Sequence, residues 1–219
     1  MESLRTIERV AAKTAPGRPP LFTEAHILKA LDDINLKQPI GRMKLSRDLQ
    51  LGEGEARTLI KHLKNERLID VSKSGISLSA TGRAILRDLR TLLSEQVDIP
   101  STSLTVDSFN VAVRVTGLRN SVKYGLEQRD AAILAGAKGA TTLIFTENGL
   151  SLPGTGETIS RTDSSLLAAL SKLSLKEGDV IIIGSADARI KAELGAKTAA
   201  LELLKTKNRR NIDTRCPHD

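Results

Sequence analysis

The stretch LSRDLQLGEGEARTLIKHLKNERLI, Leu45 to Ile69, constrains the chain more than any other. Apolar residues recur in it at helical intervals on both sides of Gly52 and Gly54, so it reads as two helices joined by a tight turn. In the second helix, Glu53 to about Asn65, the residues Ala56, Leu59, Ile60 and Leu63 share one face. Burying that face turns Arg57, Thr58, Lys61 and Lys64 outward as a cationic ridge.

The flanking sequence completes a small domain over residues 21–97. FTEAHILKALDDI is a preceding helix with Thr23 as its N-cap, and KQPIG closes it. The short helix before the ridge, about Met43 to Leu49, carries Arg42, Lys44 and Arg47 on or beside it. After the ridge, RLIDVSKSGISLSATG alternates as two strands around a turn at Lys73, Ser74 and Gly75. Thr81-Gly82 then opens a helix expected to reach Val97, with Ile85, Leu86, Leu89, Leu92, Leu93 and Val97 as its apolar stripe. Three helices, a two-stranded wing and a closing helix make a winged helix-turn-helix.

The rear half has a different rhythm. Residues 1–20, ending in APGRPP, read as an arm, and 98–106 as a polar linker. From 107 to 205 the elements run strand, helix, strand, strand, helix, strand, helix, with Asn148-Gly149 as the hairpin signal and Asp163 as a helix cap. The first six match a ferredoxin-like βαββαβ arrangement. The fold class is therefore α+β, a winged helix-turn-helix followed by an α/β domain. The tail 206–219 is basic and polar enough to be disordered.

Charge is distributed unevenly. The net charge is +7, and residues 98–205 hold twelve basic and twelve acidic side chains, so the excess lies in the front half and the tail. That segregation points to a polyanionic partner for the front half. With three Phe, one Tyr and no Trp, the chain lacks the stacking platforms of single-strand and RNA binders. Duplex DNA is the better fit. A helix presenting Arg57, Thr58, Lys61 and Lys64 fits the major groove, where Arg pairs with guanine edges and Lys with phosphates. Arg42, Lys44 and Arg47 would meet the backbone, and Lys73 with Ser74 a neighbouring phosphate or the minor groove. Glu53 and Glu55 oppose this, because carboxylates in the first turn suit a helix N-terminus and repel phosphate. A protein-docking adaptor built on the same winged helix is the competing reading.

The ridge block and the wing GISLSATGRAIL resemble the winged-helix regulators widespread in prokaryotes. The rear segments YGLEQRDAAILAGAKGATTLIF and GDVIIIGSADARIKAELGA resemble an archaeal family of uncharacterised winged-helix proteins. That resemblance implies transcription regulation of archaeal type and supplies no ligand.

Two places in the rear half could take a small anionic metabolite. Gly184, Ser185 and Asp187 stand where a buried strand gives way to a helix, a position that offers free amides. Gln128, Arg129 and Asp130 are polar residues in an alanine-rich helix, with Arg129 able to grip an anion. In both places the plainer account, a helix cap in the first and a solvated helix face in the second, is the preferred one. PGTGET lacks the Lys of a phosphate loop. His26, His62 and His218 pair with no nucleophile in the sequence, and Cys216 with His218 is too little for zinc. No catalytic residue, metal or cofactor is expected, although an enzyme in 107–205 is a remote alternative. The start lacks an apolar signal core, and no apolar run reaches the roughly 18 residues of a membrane span. The expectation is a cytoplasmic, homodimeric regulator whose rear domain senses a small ligand or mediates association, with the Ile85–Val97 stripe either pairing two copies or consumed within one chain.

Overall fold

The computed structural model describes residues 2–12, 19–155, 157–159 and 164–213, with side chains through Lys207. The chain divides into two compact units, Met1–Thr91 and Leu92–Asp219. The boundary falls six residues before the expected one.

The first unit contains α1 (Glu2–Ala11), α2 (Glu24–Lys37), α3 (Arg42–Asp48), α4 (Glu53–Asn65), β1 (Ile69–Ser72), β2 (Gly75–Leu78) and most of α5 (Ala80–Leu92). Residues 2–11 are not an arm. They form an amphipathic helix with Leu4, Ile7 and Val10 buried, packed on α2 and α4. α2 begins after Thr23 as expected, and the N–H of Thr23 donates to Nδ1 of His26, three residues on, at 3.1 Å. The wing strands pair Ile69 with Leu78 through Ser72 with Gly75. Ile40 adds a short third rung, exchanging two 2.9 Å backbone hydrogen bonds with Ile76. Gly75 lies against that rung with φ of +136°, and a Cβ there would stand 2.9 Å from the Ile40 carbonyl oxygen.

α5 starts at Ala80, one residue ahead of Thr81-Gly82, because Ser79 caps it: the Gly82 N–H donates to Ser79 Oγ at 2.9 Å. It ends at Leu92 and does not reach Val97. Leu93 is buried and bridges to Val115, and Val97 belongs to a strand. Leu86 and Leu89 are also buried within the chain. The stripe expected as a dimer seam is thus split between two units and mostly covered.

The second unit is a five-stranded sheet with helices on both faces. It contains β3 (Val97–Ile99), β4 (Phe109–Val115), α6 (Leu126–Leu134), β5 (Gly139–Thr146), β6 (Gly149–Ser151), α7 (Ser164–Leu170), β7 (Val180–Ala186) and α8 (Arg189–Asp213). The expected linker is therefore partly strand, since Asp98 and Ile99 pair with β4. Part of the expected disordered tail is helix, since α8 runs to Asp213. Cys216 and His218 lie outside the described residues, as does the Asp163 cap.

Strand order is β3-β4-β7-β5-β6. β4 and β5 are both antiparallel to β7 and hence parallel to each other. The βαββαβ succession is present. In a ferredoxin-like sheet, however, the third strand splits the parallel pair, and here the last one does. Every residue of β7 is buried, as a strand covered on both faces requires. Ile181 and Ile183 face α7, clustering with Ala112, Leu143, Leu166 and Leu170. The alternate positions face α8, where Ala186 joins Val111 and Ala192.

Candidate nucleic-acid interface

Local bonds shape the turn between α3 and α4. Ser46 is buried and its hydroxyl donates to the Leu51 carbonyl at 2.6 Å, while the Leu51 N–H returns to the Ser46 carbonyl at 3.0 Å. The left-handed residue of the turn is Gln50, φ +50°, and neither glycine has positive φ. Gly52 serves instead as the N-cap of α4. Leu45 and Leu49 anchor α3 in the core.

α4 spans the expected residues. Ala56, Leu59 and Leu63 are buried at 1% exposure or less. Ile60 is only half-buried, and His62 is buried in its place, with Nδ1 2.8 Å from the Val10 carbonyl oxygen and its ring edge-on to Phe22 at 5.5 Å. Arg57, Lys61 and Lys64 are exposed, and among the described residues none of the three forms an ion pair or side-chain hydrogen bond. They span about 10 Å along the helix at 1.5 Å per residue. Thr58 is half-buried and its hydroxyl donates to the Gly54 carbonyl of its own helix at 3.0 Å, so its donor is already engaged.

The two glutamates separate into different roles. Glu55 accepts a hydrogen bond from the Leu21 N–H at 3.1 Å, tying the approach to α2 onto the first turn of α4. Glu53 stays exposed beside the ridge.

Around the ridge, Arg42 is exposed with no polar partner among the described residues. Arg47 Nε reaches the Met43 carbonyl at 3.4 Å. Lys44 pairs with Asp48 at 3.4 Å, and Asp48 is held more closely by Lys37 at 2.9 Å. Burial works against the Asp48 carboxylate, yet hydrogen bonding to Lys37 and its charge, reinforced by Lys44, hold its pKa below the ordinary value. Lys37 also meets Asp33 at 3.0 Å, so this chain of charges fastens α3 to α2. At the wing tip Lys73 is exposed, and Ser74 Oγ lies 2.7 Å from Ser72 Oγ.

The rear-half candidates are not brought together as anion sites. Gly184 is a sheet residue, in register with Val111 and Ala140. α8 packs so closely there that a Cβ would collide with the Ala192 carbonyl and stand 2.8 Å from the Ala196 nitrogen. Ser185 is buried and accepts from the Val106 N–H at 3.4 Å. Asp187 is exposed and holds Lys191 at 3.0 Å, one turn along the helix edge. Gln128 points inward on α6, whereas Arg129 and Asp130 point outward and pair with each other at 3.0 Å. What the sequence did not reveal is a cavity of about 550 Å³ between the β5–β6 hairpin and α7. Phe145, Glu147, Leu150, Ile159, Leu166 and Leu167 line it, a mixture of apolar walls and one carboxylate. Its only sequence signal was Asn148-Gly149, which read as a turn. No group of three or more His, Cys, Asp or Glu suited to a metal occurs among the described residues.

Comparison with known proteins follows the same division. Residues 26–93 match the CggR N-terminal DNA binding domain, and residues 106–203 match a domain of unknown function, DUF4443. The chain thus carries a DNA-binding domain in front of a C-terminal α/β domain. A central glycolytic genes regulator of Priestia megaterium (strain DSM 319 / IMG 1521) is 26% identical over 82% of this chain and 51% of its own length. The regulator of the same name from Bacillus subtilis (strain 168) is 28% identical over 48% of this chain and 26% of its own. The chain therefore spans about half, or a quarter, of these curated relatives. A hypothetical protein from Pyrococcus horikoshii OT3 has a similar solved structure, with a TM-score of 0.69 at 28% identity over 84% of this chain and 94% of that one.

Proposed function

We propose that this protein is a transcription regulator of the cytoplasm that binds duplex DNA through α4. Arg57 reads base edges, Lys61 and Lys64 meet phosphates, Arg42, Lys44 and Arg47 clamp the backbone, and Lys73 with Ser74 on the wing meets the flanking groove. Thr58 contributes through its methyl group and spare lone pairs. The observation that carries this reading is the exposed row Arg57, Lys61 and Lys64, unpaired among the described residues, on a helix whose opposite face is pinned in the core. A helix so placed cannot roll to hide its cations. The match of this unit to a DNA-binding domain supports the same reading.

The protein acts as a homodimer, which sets two recognition helices about 34 Å apart on one face of the duplex. The rear unit takes up a small metabolite, and the 550 Å³ cavity beside α7 is the place for it. Promoters of glycolytic genes are the first to test, given the names of the relatives. The deciding experiment is chromosome-wide crosslinking, followed by titration of the recovered duplexes over a salt series. Binding that falls steeply with salt and discriminates among sequences supports the regulator. Absence of duplex binding at low salt leaves the protein-docking adaptor as the better account.

A further inference from the structure

α6 is built inside out. Its buried positions are Gln128 and Ala132, small or polar, with Ala132 close against Gly195 of α8. Its outer positions are the large aliphatics: Leu126 is 49% exposed, Ile133 46% and Leu134 89%. Residues 126, 129, 130 and 133 follow the i, i+3, i+4, i+7 pattern, so Leu126 and Ile133 bracket Arg129 and Asp130 in a single strip, with Leu134 beside it. An apolar strip kept in water while alanine fills the interior marks a surface made for contact.

We propose that the strip binds a second copy of the chain, α6 lying antiparallel on its twin about a two-fold axis between Arg129 and Asp130. The pattern is its own complement. Reversing the helix about that axis sets Leu126 against Ile133 of the partner subunit and Arg129 against Asp130 of the partner subunit. Apolar meets apolar and cation meets anion, as an isologous contact requires. Among the described residues of the single chain Arg129 and Asp130 pair only as sequence neighbours, both half or more exposed, an arrangement that contributes little. Across the axis the same charges gain partners in a partly dried interface. The helix is about 13 Å long. The strip therefore buries less than the roughly 800 Å² per partner of a standard interface, and the dimer is weak, with Kd in the micromolar range. This surface rests on the regulator reading only for its use in placing two DNA-binding units.

The test is sedimentation equilibrium of the full chain without DNA, from about 1 to about 200 µM, a range bracketing that affinity. The wild type should rise from monomer to dimer mass. Ile133→Lys should stay monomeric with unchanged thermal unfolding. Arg129→Asp and Asp130→Arg should each raise Kd roughly tenfold or more by setting like charges opposite each other, and the double reversal should return it to within about threefold of wild type. A wild type that remains monomeric overturns the proposal, as do single reversals without effect or a double reversal that does not rescue. DNA is absent from the assay, so its outcome is independent of whether α4 reads DNA.

Discussion

The side chain of Glu55 accepts the backbone N–H of Leu21 at 3.1 Å, while Glu53, two residues earlier on the same helix turn, has no such partner among the described residues. The acidic start of α4 is thus half scaffold and half free charge. Glu55→Ala should lower the stability of the first unit by about 1 kcal/mol, the scale of one partly exposed charge-assisted hydrogen bond, as read by urea unfolding. Glu53→Gln should cost only about 0.3–0.5 kcal/mol, the helix-dipole share of an exposed first-turn carboxylate, and should tighten DNA binding about two- to fivefold by removing a repelling charge. Equal effects of the two substitutions on both assays would contradict the distinction.

Ridge substitutions have a signature beyond lost affinity. Lys61→Ala and Lys64→Ala should each weaken binding to all duplexes alike and reduce the salt slope by about 0.9. Arg57→Ala should also relax sequence preference, by about 1–3 kcal/mol at one base pair. Thr58→Ala should do less than any of these, because its hydroxyl already serves Gly54. Fluorescence anisotropy against specific and scrambled duplexes separates these outcomes.

His26 makes the first unit sensitive to acid. Its Nδ1 accepts the Thr23 N–H, and burial, followed by the charge of Lys29, lowers its pKa from 6.5 to about 4. The unfolded chain gains the proton near pH 6.5 and the folded chain only near pH 4, so acidification favours unfolding. The contribution is complete above pH 6.5 and is lost as pH falls towards 4, at no more than about 1.4 kcal/mol per pH unit. Urea midpoints of the wild type and His26→Gln, compared at several pH values across that window, should converge as pH falls. A constant gap would exclude the effect.

Gly184→Ala separates close packing from ligand binding. The new methyl group has no space against Ala192, so the second unit should lose about 3 kcal/mol or fail to fold. Asp187→Asn should leave stability nearly unchanged, as expected for an exposed pair with Lys191. A Gly184→Ala protein as stable as wild type would mean that α8 packs less closely than described.

Much of the front unit was legible because its signals are local. The limits of α4 follow from Gly52 as N-cap and from apolar spacing that returns every turn. α1 carried the same spacing in Leu4, Ile7 and Val10, but the proline-rich APGRPP beside it suggested an arm. Leu93 and Val97 continue the apolar period of the helix that ends at Leu92, which predicts a longer helix. Pairing of Leu93 with Val115 and of Val97 with Ala112, both contacts distant in sequence, ended it earlier. Strand order in the rear sheet is likewise non-local. The one hint, VIIIGSA, was its unbroken apolar character, which suits a strand with neighbours on both sides and helices above and below. The cavity beside α7 has no sequence signal beyond the Asn148-Gly149 turn, because its walls come from a hairpin and a helix whose residues each read as ordinary.

The placement of β7 has a consequence for synthesis. β4 and β5 leave the ribosome first, as parallel neighbours with a gap between them, and the strand that fills the gap is the last to emerge. Until Val180–Ala186 arrives, both carry unpaired edges open to other chains. The front unit, whose wing pairs within ten residues, has by then had time to close. A nascent chain stalled before Val180 would therefore display a finished DNA-binding module tethered to an adhesive, incomplete sheet.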